Sequence, residues 1–280
     1  MAPLLGAQRA PRICRLIGLQ NTVIAAKFSA FTALLTQKQC AIEATREEEV
    51  MRQAGMLVER MKNGEAAPEK HFNPYLYEAL EHQGILMTGS EWAQHAANPF
   101  PDTNQPLLVE VGCYMGKNVL EFAQNNPNWN VLGIDITYKR TVKAARKIKS
   151  LGMTNAKILI SDARQALAEL PPGSLKGLCV FFPDPWPKKK QKKNRLLQEP
   201  FLKLLAEKLD PKDGFFWFKT DSEDYFQCVK ELTTQLKWGE SAPDVLPQGL
   251  EPLPYTTVFE ALFMGKNLPI YRRVFTPPQG

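Results

Sequence analysis

Short apolar runs alternate with amphipathic segments from residue 107 onward. The apolar runs are rich in Val, Ile and Phe and end in turn residues, which predicts buried strands over residues 107–112, 130–136, 156–162, 175–182 and 214–221, with a last strand near 270–275. Helical patterns occupy residues 117–125, 139–151, 163–170, 200–209 and 222–237. This alternation predicts an α/β fold with a doubly wound, mostly parallel sheet covered by helices on both faces.

The pattern before residue 106 is different. Residues 1–44 carry five cations against one acid, Glu43, so we expect a tail that is disordered or a leader such as an organellar transit peptide. A start annotated too far upstream, with Met51, Met56 or Met61 as the true start, is the alternative. Helical patterns over residues 45–62 and 74–83 and a proline-containing linker over 98–106 predict a helical extension at 45–105. Residues 106–280 would then form the main domain.

Composition narrows the class of protein. At 280 residues and 44% hydrophobic residues, the chain can bury one sizeable core. The five cysteines form no CxxC pair and the three histidines have no ligand spacing, so we expect no metal site and a reducing, cytoplasmic compartment, or an organelle if residues 1–44 are a transit peptide. Since no apolar stretch reaches the length of a membrane span, we expect no membrane association.

Acidic residues follow or end the predicted strands. They are Glu110, Asp135, Asp162, Asp184 and Asp221. A single aspartate at such a position is often a turn or cap residue. Because the carboxyl ends of parallel strands share one edge of the sheet, where ligands bind in such folds, five in succession predict a binding site.

The turn after the first strand of this domain indicates the ligand. It reads EVGCYMG over residues 110–116, with Gly112 and Gly116 but without the GxGxxG pattern that cradles a pyrophosphate. Glycines let the backbone approach a ligand closely, and Asp135, about two dozen positions on, can accept both hydroxyls of a ribose. A ligand with ribose and adenine but no pyrophosphate fits, and S-adenosylmethionine is such a ligand.

The stretch FFPDPWPKKKQKKNR, residues 181–195, combines Asp184 and Trp186 with a run of cations. The cations are Lys188, Lys189, Lys190, Lys192, Lys193 and Arg195. A carboxylate beside an aromatic ring suits chemistry on a base, and cations suit a phosphate backbone. The alternatives are a solvated lysine loop and a tryptophan that only fills a hydrophobic gap. The combination predicts an enzyme that modifies RNA or DNA.

These motifs resemble those of the bacterial-type tRNA (guanine-N7-)-methyltransferase family. The resemblance covers about residues 107–275 and rests on FFPDPW with the basic residues after it, RLLQ at 195–198, Thr220-Asp221 and TVFE at 257–260. It implies the Rossmann-like class I methyltransferase fold, S-adenosylmethionine as cofactor and methylation of a guanine in the variable loop of tRNA.

The resemblance also implies roles for individual residues. Glu110, Asp135, Asp162 and Asp184 would line the cofactor pocket beside Gly112, with Asp135 on the ribose and Asp162 on the adenine amino group. The residues Lys188, Asp221, Thr257, Val258, Phe259 and Glu260 would contact the tRNA. Asp184 is the candidate catalytic residue that holds the base edge, assisted by Asp221 or Glu260.

The chain departs from the family pattern at several positions. Tyr114 stands where glycine is usual, Pro187 and lysines replace a mixture of His and Arg, and Val258 replaces a lysine. Two alternatives therefore stay open: a non-catalytic RNA-binding protein with a methyltransferase fold, and a methyltransferase that acts on another RNA or on protein. We expect tRNA as the partner and a monomer or weak homodimer.

Overall fold

The computed structural model describes residues 75, 78–79, 81–241 and 256–279. The predicted tail at 1–44 and the predicted helix at 45–62 lie outside these residues. Of the predicted helix at 74–83, positions 75, 78 and 79 are helical, whereas positions 81–83 form a turn and a bridge. The division at residues 44 and 105 stays a prediction.

The described part of the chain forms alternating strands and helices. The strands are β1 (Leu86–Thr88), β2 (Leu107–Val111), β3 (Asn130–Asp135), β4 (Ala156–Ile160), β5 (Leu175–Phe181), β6 (Phe215–Thr220), β7 (Gly239–Ser241) and β8 (Tyr271–Thr276). The helices are α1 (Gly89–His95), α2 (Lys117–Asn125), α3 (Tyr138–Ser150), α4 (Ala163–Ala168), α5 (Glu199–Lys208), α6 (Glu223–Gln235) and α7 (Val258–Gly265), with a 3-10 helix at Lys189–Asn194.

The strands form one sheet in the order β1-β4-β3-β2-β5-β6-β8-β7. All neighbours are parallel except the two pairs that contain β8, which are antiparallel. The predicted doubly wound, mostly parallel sheet is therefore confirmed. Strand order reverses between β2 and β5, so the crevice at their carboxyl ends is the switch point where ligands bind in such sheets.

Alternate residues of the central strands face different helix layers. Val109 and Val111 pack into the main core with side chains of α1, α4, α5 and α6. Leu108 and Glu110 point to the other face, where they line a cavity together with Asn118 of α2. Residues of β2 and β3 are all buried, which explains their nearly continuous apolar sequence.

The hydrophobic pattern of the sequence predicts no element at β1, α1, β7 or α7. Strand β1 has only three residues and lies in the predicted extension, yet it pairs with β4 at the edge of the sheet. Thr88 and Glu91 form a capping box at the start of α1, and the Trp92 indole donates a hydrogen bond to the Ala166 carbonyl at 2.7 Å. Such short elements depend on tertiary contacts rather than on a periodic pattern.

Among the described residues, none of the helices is long and apolar enough to cross a membrane.

Candidate functional site

The β2–α2 turn, residues 112–116, presents open backbone at the switch point; we call it the glycine turn. Gly112 is exposed with φ +75°, and a Cβ there would meet nothing within 4 Å. Gly116 has φ +71°, and its Cβ would lie 2.8 Å from that of Ala144, so no side chain fits. The turn therefore leaves space for a ligand at Gly112 and packs closely on α3 at Gly116.

Asp135 fixes the glycine turn from the end of β3. Its Oδ2 accepts from the Tyr114 N–H at 3.1 Å, and its Oδ1 accepts from the Thr137 N–H at 2.8 Å. The side chain is buried, but each carboxylate oxygen has a second lone pair. Asp135 thus organises two turns and retains acceptor capacity for a ligand hydroxyl.

Glu110 lies deeper than the other strand-end carboxylates. It is 5% exposed, and its Oε1 accepts from Asn118 Nδ2 at 2.8 Å. Burial raises the pKa of Glu110 to about 7, against the lowering effect of the Asn118 hydrogen bond. Glu110 is therefore part of the support beneath the glycine turn.

Asp162 is the N-cap of α4. Its Oδ1 accepts from the Arg164 N–H at 2.7 Å, and its side chain remains 44% exposed. The cap role common to aspartate applies here, and Asp162 follows the carboxyl end of β4.

Asp184 is exposed on the loop that follows β5, residues 182–187, which we call the Asp184 loop. Phe182 and Trp186 on either side have φ +52° and +42°, a left-handed conformation that is rare for bulky residues. Such conformations persist only where surrounding contacts impose them, and they concentrate at functional sites.

Arg195 imposes the shape of the Asp184 loop from below. Its Nε donates to the Pro185 carbonyl at 2.8 Å, and its guanidinium lies 4.5 Å from the centre of the Tyr225 ring. It also pairs with Asp224, and hydrogen bonds from Lys192 and Arg195 lower the pKa of that carboxyl. With 2% of its side chain exposed, Arg195 braces the loop from within the protein.

Fewer cations of the basic run are available to a phosphate backbone than the sequence predicts. Counting Arg195 among the cations for a phosphate backbone was wrong, because it is buried, and Lys192 pairs with Asp224 at 2.6 Å. The exposed lysines of this run are Lys188, Lys189, Lys190 and Lys193. They lie on and next to the 3-10 helix that follows the Asp184 loop.

The segment at 257–260 divides into buried and exposed halves. Thr257 and Glu260 form a capping box at the start of α7, and Glu260 Oε2 also accepts from Lys219 Nζ at 2.8 Å. Both side chains are buried, whereas Val258 and Phe259 are exposed. Asp221, just past β6, is half-buried.

A row of aromatic rings connects α7 with the two loops of the site. Tyr114 contacts Phe259 edge-on at 5.7 Å between ring centres, and Phe182 contacts Phe263 at 5.3 Å. The Arg140 guanidinium lies 4.6 Å from the centre of the Tyr114 ring, a cation–π contact. The backbone of Tyr114 is left-handed, with φ +53°. The tyrosine in the place of glycine is thus held between α3 and α7.

Four contributors to the site are not predicted by the sequence pattern: Asn118, Arg140, Lys219 and Phe263. A signal existed only for Lys219, a single charge in the otherwise aromatic and apolar run of β6. Within the described ranges, the structure contains no cluster of His, Cys, Asp or Glu that would hold a metal ion.

Comparison with known proteins covers this whole site. A family model described as "Putative methyltransferase" matches residues 104–273. A tRNA (guanine-N(7)-)-methyltransferase of Vibrio cholerae serotype O1 is 30% identical over 197 residues, which are 69% of this chain and 78% of that protein. One of Geobacter metallireducens is 35% identical over 148 residues, 52% of this chain and 67% of that protein.

A third relative is much longer than this chain. A bifunctional glycosyltransferase/methyltransferase of Fusobacterium nucleatum is 30% identical over 176 residues, 60% of this chain. The match spans about a quarter (26%) of that protein.

Proposed function

Because the chain belongs to the tRNA (guanine-N(7)-)-methyltransferase family, we propose that it transfers a methyl group from S-adenosylmethionine to N7 of a guanine in the variable loop of tRNA. The proposal is supported above all by two features that lie side by side at the carboxyl ends of β2 and β5. Open backbone at Gly112 follows β2, and an exposed, braced carboxylate, Asp184, follows the neighbouring β5.

The residues around the glycine turn fit S-adenosylmethionine. The space at Gly112 admits a ligand against the backbone, and the remaining lone pairs of Asp135 suit the ribose hydroxyls. Asp162, half exposed at the next strand end, suits the adenine amino group. When bound, S-adenosylmethionine supplies an electrophilic methyl group on a sulfonium.

The acceptor needs little acid–base help from the protein. Guanine N7 carries a free lone pair at neutral pH, so no general base is required to expose it. Methylation leaves the ring with a positive charge, which the exposed Asp184 carboxylate would stabilise as it develops. The braced conformation of the Asp184 loop keeps this carboxylate in place, and positioning supplies most of the rate.

Groups around Asp184 would hold the RNA. Trp186, half-buried beside Asp184, would stack on the base, a contact typically worth about 1–3 kcal/mol. The exposed lysines from Lys188 to Lys193 would bind phosphates, and Asp221, Val258 and Phe259 would complete the substrate edge. Thr257 and Glu260 are buried in the capping box, so we assign them to positioning α7.

The same proposal includes the state and location of the protein. We expect a monomer or weak homodimer in the cytoplasm, with organellar import if residues 1–44 act as a transit peptide. Sedimentation of the full chain and fractionation of cells that express it with and without residues 1–44 test these expectations.

The decisive experiment maps the product on RNA. Purified protein is incubated with S-adenosylmethionine and tRNA transcripts, and 7-methylguanine is located by borohydride–aniline cleavage. We expect cleavage in the variable loop with the wild type, none with Asp184→Ala, and wild-type cleavage with Asp213→Ala. Asp213 is a matched control because it is an exposed aspartate that pairs with Lys176 near the amino end of β6.

Other outcomes separate the alternatives. Cofactor binding without cleavage in any tRNA would indicate another RNA or a protein as substrate. RNA binding without cofactor binding would indicate a non-catalytic RNA-binding protein, with the glycine turn blocked by Tyr114.

A further inference from the structure

Glu110 and Asn118 share one hydrogen bond beneath the glycine turn, and each has one buried oxygen left over. Asn118 Nδ2 donates to Glu110 Oε1 at 2.8 Å. Among the described residues, neither Glu110 Oε2 nor Asn118 Oδ1 has a hydrogen-bond partner, and both atoms are buried. Two buried acceptors without donors in one side-chain pair are unusual, since an unsatisfied buried polar group destabilises the folded state.

A single proton between Glu110 and Asn118 would give both of these oxygens a hydrogen bond. A hydrogen on Glu110 Oε2 would donate to Asn118 Oδ1 and close a ring of two hydrogen bonds between a carboxylic acid and an amide. Turning the amide over changes which carboxyl oxygen carries the proton but not the need for it. An ionised Glu110, by contrast, has only acceptors and cannot satisfy the Asn118 oxygen.

The surroundings favour the neutral form of Glu110. The cavity beside it has a volume of about 10 Å³, at the lower limit for a single water, and its other lining residues are Leu108, Val119, Phe122, Val131, Cys179, Phe181 and Trp217. There is therefore little room to hydrate a charge.

Charged and titratable groups reach Glu110 from three other strands and from the glycine turn. Burial has the largest effect and raises the pKa of Glu110 to about 7, against hydrogen bonds from Asn118 and the Val119 N–H that lower it. Asp135 on β3 raises this pKa further and Lys219 on β6 lowers it. Burial also raises the pKa of the thiols of Cys113 in the glycine turn and Cys179 on β5, so neither supplies a charge near neutral pH.

We propose that Glu110 and Asn118 form a neutral carboxylic acid–amide pair, and that Asn118 is a positioning residue that holds the first turn of α2 and the glycine turn for cofactor binding. Asn118 is the second residue of α2, and Glu110 lies on β2, two residues before Gly112. Loss of the proton breaks one of the two bonds and leaves a charge among apolar side chains. The glycine turn then loses its support.

This inference rests on the proposed function, and its test begins with cofactor binding. We measure the affinity of the apoprotein for S-adenosylmethionine by calorimetry from about pH 6 to about pH 8.5, a range that brackets the pKa of about 7. If only the acid form is competent, the wild type loses affinity by up to roughly 30-fold across this range. Glu110→Gln keeps one donor and one acceptor for Asn118 at every pH, so its affinity should stay constant across this range.

Two further variants separate positioning from general stability. Asn118→Leu removes the amide and should weaken cofactor binding at every pH. Glu121→Gln is the control, because Glu121 is a half-exposed carboxylate on the same helix, paired with Lys117, and its loss should leave the pH profile unchanged.

An infrared measurement tests the pair without cofactor. The apo wild type should show the carbonyl band of a protonated carboxyl group at neutral pH, and Glu110→Gln should lack it. Absence of this band from the wild type, or a pH dependence of cofactor binding by Glu110→Gln as steep as that of the wild type, would overturn the proposal. If the wild type binds no S-adenosylmethionine, the proposed function fails, while the infrared band still decides whether the neutral pair exists.

Discussion

Lys219 and Glu260 form a buried ion pair, with Nζ 2.8 Å from Oε2, that joins the carboxyl end of β6 to the first turn of α7. Neither side chain is more than 5% exposed. The same Glu260 oxygen accepts from the Thr257 N–H at 3.3 Å, so one carboxylate both caps α7 and anchors it to the sheet.

Removal of one partner of this pair should be costly. We expect Glu260→Ala to lower the free energy of unfolding by about 3–5 kcal/mol, because it leaves the buried Lys219 ammonium without its carboxylate. Urea denaturation measures this. Lys176→Ala, which breaks more exposed pairs with Asp210 and Asp213, should cost about 1 kcal/mol or less. A loss for Glu260→Ala as small as that of the control would contradict the assigned role.

Arg195 should affect catalysis without contacting RNA. Because it braces the Pro185 carbonyl and the Tyr225 ring, we expect Arg195→Ala to destabilise the protein by about 1–3 kcal/mol and to lower kcat more than tRNA affinity. Stopped-time methylation assays at saturating tRNA, run below the melting temperature of the variant, measure kcat. A change confined to KM would indicate a phosphate contact instead.

The exposed lysines should affect tRNA affinity more than kcat, in contrast to Arg195. Replacing Lys189, Lys190 and Lys193 by alanine should weaken tRNA binding and reduce the slope of log affinity against log salt, by up to about 0.9 for each phosphate that is no longer neutralised. kcat at saturating tRNA should change little. An unchanged salt slope would mean that this run is a solvated loop.

The Tyr114 side chain should not weaken S-adenosylmethionine binding. Its ring is held by Arg140 and Phe259, so we expect Tyr114→Phe to bind S-adenosylmethionine like the wild type. Tyr114→Gly relieves a left-handed backbone penalty of about 1–2 kcal/mol but releases α7, so tRNA affinity should fall while cofactor affinity does not. A marked gain in cofactor affinity for Tyr114→Gly, measured by calorimetry, would show that the tyrosine obstructs the pocket.

Stability should fall as pH rises through the range set by Glu110. Its pKa is about 7 in the folded protein and about 4.5 when unfolded, so the folded state binds the proton more tightly between these values. This carboxyl should therefore lower the unfolding free energy by at most about 1.4 kcal/mol per pH unit between them, with no further loss above. Denaturation of the wild type and Glu110→Gln at several pH values isolates this contribution as their difference.

The periodic pattern of the chain was sufficient to predict the central strands and their helices. Strand β2 is buried on both faces and β4 nearly so, so local hydrophobicity alone identifies them. The order of these elements then places Glu110, Asp135, Asp162, Asp184 and Asp221 at one edge, because parallel strands with helical crossovers all end on the same side.

Local sequence says much less about what each side chain does there. Arg195 follows five lysines and looks like one more exposed cation, yet its stem and guanidinium are buried against Tyr225, which lies thirty residues later. Glu260 and Thr257 carry a capping-box spacing, but the partner that buries Glu260 is Lys219 on a distant strand.

The sequence by itself thus determined the architecture and the edge of the sheet that holds the site, because hydrophobic period and turn residues act over a few positions. Only the tertiary structure decided which charges are exposed and which are structural, because burial and pairing depend on residues far apart in the chain. The unsatisfied oxygens of Glu110 and Asn118 belong to this second class, since they are defined by the cavity that α2, β2, β3, β5 and β6 enclose together.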